Sequence, residues 1–198
     1  MKKRVLVILI LLIAFNINAQ QDPQYTQYMY NMNVINPAYA GSGDGASFGI
    51  LYRDQWEGLE GAPKTATMNV HFPAGRNVGL GFSAISDEIG PVSETNLYVD
   101  FSYTLNFSND NRLAFGVKAG GTFHDVGLIN LSLIDPNDPF FANDINENTP
   151  NVGAGIYFYK PNSYYISVSV PNILESVHLD NNDFNIGSET RHIFAAAG

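Results

Sequence analysis

Two strictly alternating segments face each other within residues 97–123. Leu97, Val99, Phe101, Tyr103, Leu105 and Phe107 alternate with Tyr98, Asp100, Ser102, Thr104 and Asn106. After Ser108-Asn109-Asp110-Asn111 the period resumes: Leu113, Phe115, Val117, Ala119, Gly121 and Phe123 alternate with Arg112, Ala114, Gly116, Lys118, Gly120 and Thr122. A period of two on both sides of a short Asn/Asp turn predicts a β-hairpin. Each strand runs to about eleven residues, roughly twice the usual five or six, which is enough for a tilted strand to cross a bilayer. One face is apolar and aromatic. The other carries Asp100, Arg112, Lys118 and small residues. By itself the hairpin suits a soluble sandwich as well as a membrane barrel, whose apolar face meets lipid while the polar face lines the lumen.

The same alternation recurs along the chain. It predicts strands at 46–53, 65–72, 78–85, 152–159 and 164–170, with an eighth beginning near His192. Short turns fall at 73–77, 108–111 and 160–163; longer connections fall at 54–63, 87–93, 125–150 and 171–189. Short and long alternate strictly. An outer-membrane barrel has this form, with periplasmic turns on one rim and extracellular loops on the other; a Greek-key sandwich has no such requirement. The expected fold is all-β: an up-and-down antiparallel transmembrane β-barrel of the outer-membrane type. About seven to eight strands are present, and the barrel is incomplete in this chain.

Charge and the N-terminus agree with that reading. Only 15% of residues are charged, against about a quarter in average globular chains. Met1-Lys2-Lys3-Arg4 followed by an apolar run and Ala19 reads as a secretory signal peptide over residues 1–19. Loss of its three basic residues would take the net charge from −9 to −12. Nucleic acid is excluded as a partner, since its phosphates need a basic surface. The absence of cysteine excludes disulfides, thiol chemistry and thiolate-bound zinc. Residues 20–45 then form an extended or plug-like segment, either a short helix near the mouth or a linker into the first strand, and 46–198 the barrel domain.

Catalytic, cofactor and metal sites are not expected. His71, His124, His178 and His192 show no metal-binding spacing. The acidic run from Asp135 fails the calcium-loop pattern, with Phe140 at the sixth position and Asn146 at the twelfth. No Gly-x-Ser-x-Gly element occurs. Inward glycines such as Gly79, Gly81, Gly116 and Gly155 leave room for a plug.

Three motifs carry a family resemblance. They are Asn36-Pro37-Ala38-Tyr39-Ala40-Gly41; Arg53-x-Gln55-Trp56-x-Gly58-x-x-Gly61-Ala62-Pro63-x-Thr65; and Ser86-Asp87-Glu88-Ile89-Gly90-Pro91. In this order the chain resembles the PorP/SprF family, outer-membrane proteins of the Bacteroidetes type IX secretion and gliding machinery, from about Gln24 to Gly198. The resemblance implies a non-catalytic barrel in the cell outer membrane. Its partners would be lipid, other type IX secretion components and secreted surface adhesins. A porin-like solute channel and a secreted soluble β-sandwich binding protein are the alternatives. Family members are longer than this chain, and a last strand inside Ala195-Ala196-Ala197-Gly198 reads as an N-terminal portion.

The residues singled out for structural or partner roles are Asn36, Pro37, Tyr39, Gly41, Arg53, Trp56, Gly58, Gly61, Pro63, Asp87, Gly90, Asp100 and Lys118. Trp56 is expected at the extracellular rim, in a loop folded partly over the mouth, as an interfacial anchor, a plug contact or a partner site. The hairpin register places Asp100 opposite or diagonal to Lys118 on the inward face, predicting a lumen-side ion pair. Leu97, Val99, Phe101, Leu105, Leu113, Phe115, Val117 and Phe123 should face outward, while Asn106 and Thr122 should tolerate charge.

Overall fold

A computed structural model describes residues 32–128, 144–174, 177–181, 184–188 and 191–198. The expected signal peptide, the tyrosine-rich part of 20–31 and the acidic run 135–138 lie outside these residues. Eight antiparallel strands form one curled half-barrel: β1 (Ser47–Asp54), β2 (Lys64–Pro73), β3 (Val78–Ile89), β4 (Val92–Asn106), β5 (Arg112–Val126), β6 (Ile145–Lys160), β7 (Tyr164–Val170) and β10 (Phe194–Ala197). Sequential strands pair from β1 to β7, and β10 pairs with β7. Between β7 and β10, β8 (Val177–Asn181) and β9 (Phe184–Ser188) make a separate two-stranded sheet. Ahead of β1 stand a one-turn helix, α1 (Met32–Ile35), and a 3-10 turn at Pro37–Tyr39. No helix among the described residues is long and apolar enough to cross a membrane.

Strand alternation sets the two faces. Phe101, Phe115, Phe123, Ile156 and Ile166 are exposed on the convex side, and Val99 and Val117 are more than half exposed. The opposite residues of the same strands are buried: Tyr98, Asp100, Ser102, Ala114, Lys118 and Thr122. A soluble sheet would cover its apolar face and wet its polar one. This sheet does the reverse, as a barrel wall in lipid does.

Four expectations need correction. Residues 87–93 are not an open loop: β3 continues to Ile89 and β4 begins at Val92, with Gly90 turning the chain at φ 58°. Residues 145–150 join β6 because they keep the ladder opposite 121–126 of β5. The connection 171–189 contains the β8–β9 hairpin. Thr122 cannot accept a charge easily, for its side chain is 1% exposed and donates to Asn96 Oδ1 at 2.5 Å.

Outward polarity should be costly near the middle of the wall. Phe101→Lys or Val117→Lys is expected to lose about 2–4 kcal/mol of stability, and Leu105→Lys near the strand end much less. Denaturant unfolding in lipid bilayers measures the gradient, and equal losses at all three positions would refute the assigned depth.

Candidate functional site: an inner segment seated on the concave face

The inner face is built from small residues in register. Gly79 pairs with Ser102, Ser102 with Gly116, Gly116 with Gly155, and Gly155 with Ser169. One row of glycine and serine thus crosses β3, β4, β5, β6 and β7. Two residues away on each of the first four strands, a second row reads Gly81, Asp100, Lys118 and Gly153. The backbone of residues 32–41 lies on this saddle. A Cβ at Gly116 would strike Pro37 and Ala38; at Gly79, the Ala40 carbonyl; at Gly155, the Asn36 amide; at Gly81, the Asn33 amide. At Gly116 and Gly79 glycine is required by close approach of another backbone, and at Gly155 and Gly81 it makes room for a buried side-chain amide.

Polar groups of the sheet then hold the segment, chiefly by its carbonyls. Lys118 Nζ donates to the Val34 carbonyl. Ser169 Oγ donates to the Ile35 carbonyl at 3.0 Å and Ser102 Oγ to the Ala40 carbonyl at 2.6 Å. The Gly41 N–H donates to His71 Nδ1 at 3.3 Å. Asn36 is fully buried and uses its whole amide: Nδ2 donates to the Ile156 carbonyl at 3.0 Å and to Ser167 Oγ at 2.7 Å, while Oδ1 accepts from the Ala38 N–H at 2.9 Å. The last bond caps the 3-10 turn, with Pro37 pre-set at its first position. Ala38 packs with Ala114, Tyr157 and Tyr159. Tyr39 stands edge-on to His71 and Tyr157, at ring separations of 5.2 and 5.3 Å. Gly41 turns at φ 69°, where an added Cβ would meet Gly79.

Asp100 and Lys118 are directly opposite in the ladder, and their charged atoms lie 3.8 Å apart with both side chains buried. That bears out the inward ion pair. Asp100 also accepts from Asn33 Nδ2 at 3.0 Å, and Lys118 lies 4.9 Å from the centre of the Tyr98 ring. Asn33, Ser102, Ser167, Ser169 and the segment carbonyls were not singled out in the sequence. The inward position of the serines was readable; their partners were not.

The other two motifs meet at the long-loop rim, away from the segment. Gly90 N–H donates to the Gly61 carbonyl at 3.0 Å, and Gln55 N–H to the Pro63 carbonyl at 3.0 Å. Arg53 Nη2 donates to Gln55 Oε1 at 2.9 Å, and Thr65 Oγ1 donates to buried Asp87. Gly58 and Gly61 both have positive φ. Trp56 is 69% exposed, so it is no packed plug contact: the clasp between Gly61 and Gly90 holds the loop to its neighbouring turn. No cluster of His, Cys, Asp or Glu able to hold a metal occurs among the described residues.

A signature of outward apolar strands and a filled polar interior defines an outer-membrane β-barrel protein. The family model for the type IX secretion system membrane protein PorP/SprF matches residues 17–198, and the chain belongs to that family. No curated protein and no solved structure matches it.

The saddle has sharp steric and electrostatic tolerances. Gly116→Ala is expected to cost about 1–3 kcal/mol by overpacking and to open the Tyr39–Ala40 bond to chymotrypsin in the folded protein; a bond that stays protected would refute the close seating. Asp100→Asn and Lys118→Met should each cost about 3–5 kcal/mol singly, because each strands a buried charge. Their double variant should cost clearly less than the sum, and a double-mutant cycle with no coupling would refute the pair.

Proposed function

We propose that this chain is a non-catalytic component of the type IX secretion apparatus in the outer membrane, exported with the aid of residues 1–19 and embedded in lipid through its convex face. Residues 32–41 act as a fixed plug. With other secretion components the barrel assists the export or surface anchoring of large adhesins. The observation that carries this reading is the filled concave face: four strands, β4 to β7, and the preceding segment are joined by hydrogen bonds at Asn36, Ser102, Lys118 and Ser169. A solute channel needs that space open and lined with accessible charge, whereas Asp100 and Lys118 are spent on each other and on the segment. Family membership supports the secretion role.

Deletion of the chain is expected to leave surface adhesins undisplayed, retained in the cell or shed into the medium, with small-solute uptake unchanged. Surface immunolabelling and solute uptake in the deletion strain test both halves. Normal adhesin display with impaired uptake would favour the channel instead.

A further inference from the structure

Trp56 is held in a costly conformation and recovers little burial inside the chain. Its φ of 55° lies in the left-handed region, where a side chain crowds the backbone and glycine alone escapes the penalty. The loop already uses glycine wherever it turns this way, at Gly58, Gly61 and, in the adjoining turn, Gly90. Backbone bonds complete the frame, with Leu59 N–H donating to the Trp56 carbonyl at 3.0 Å and Gly90 N–H reaching Gly61. A glycine at position 56 would serve the same backbone at lower energy. The indole stands 69% exposed, so the contact that would justify it is not found among the described residues.

Its surroundings describe that contact. Leu59 and Ile89 are 60% and 51% exposed, the first on the same loop and the second at the turn clasped to it. Glu57, Glu60 and Glu88 are exposed beside them. An apolar centre with a charged rim is the layout of a protein interface, and tryptophan is a frequent anchor of such interfaces. A bilayer surface also attracts tryptophan, but anionic headgroups attract basic segments and repel carboxylates. We propose that the clasped β1–β2 and β3–β4 connections form a docking surface for a protein partner that presents an apolar pocket edged by lysine or arginine, with Trp56 as the anchor. This surface is separate from the plug.

Trp56 is the chain's single tryptophan, so intrinsic fluorescence reports this site alone. In the full chain reconstituted with brominated lipids, emission should be quenched by acrylamide and not by the lipid; quenching by the lipid would place the indole in the membrane interface and overturn the proposal. In intact cells, a photo-cross-linking residue at position 56 should give a discrete protein adduct. Glu57→Lys with Glu60→Lys, or raised salt, should reduce it by about tenfold or more, since rim charges steer association. No adduct, a lipid adduct or a protein adduct indifferent to charge would each overturn the proposal. With the cross-linker moved to Leu59, Trp56→Gly should remove the adduct and leave heat stability unchanged or raised. A fall in stability would give the indole an internal role and also overturn it. The adduct is read independently of adhesin display, so failure of the secretion role and failure of this surface are distinguishable.

Discussion

An ammonium and a carboxylate buried in a membrane-spanning wall must be satisfied without bulk water, and much of this structure follows from that. At 3.8 Å the Lys118–Asp100 pair is too long to count as a hydrogen bond. Coulomb attraction alone rarely offsets the loss of hydration for such a pair. Both groups therefore take further partners from the inner segment, Asn33 for the carboxylate and the Val34 carbonyl for the ammonium. The sheet needs the segment to keep its charges, and the segment needs the sheet to bond its carbonyls. Neither would be stable in the same form without the other.

Steric and polar features divide the work. Gly79 and Gly116 lower the floor so that a backbone can approach, and Gly81 and Gly155 make room for the Asn33 and Asn36 amides. Ser102 and Ser169, in register with that row, supply short donors at the right height. A longer side chain in either place would lift the segment off the sheet. Most of these bonds read main-chain carbonyls and so tolerate many sequences. Asn36 and Pro37 are different: an amide with three bonds and a ring that pre-sets the turn specify one register along the saddle.

Much of this was legible in the chain. Strict alternation gave the strand faces and left two β4–β5 registers, both of which put Asp100 within reach of Lys118 on the inward face; the structure adopts the one in which they are directly opposite. The inward glycines indicated room for a plug. Strand ends were read less well. Ser93 and the Asn148–Pro150 stretch look like loop by composition, yet they continue the ladder because neighbouring strands pair with them. The partners of Asn33 and Asn36 were invisible, since they depend on residues more than sixty positions away meeting through curvature of the sheet. The two rim motifs were recognisable as motifs, but their mutual contact at Gly61 and Gly90 is a tertiary fact.

The distance along the chain between Asn36 and its bonding partners has a consequence for assembly. Ile156 and Ser167 follow it by 120 and 131 residues, and Ser169 follows Ile35 by 134. A segment that precedes β1 thus finds its final ligands only after β6 and β7 have been added to the sheet. Loops of that length make late, slow contacts. Until β6 and β7 are in place the Asn36 amide lacks both of these partners. Complete seating of this segment thus depends on the wall behind it having been laid in the correct order through β7.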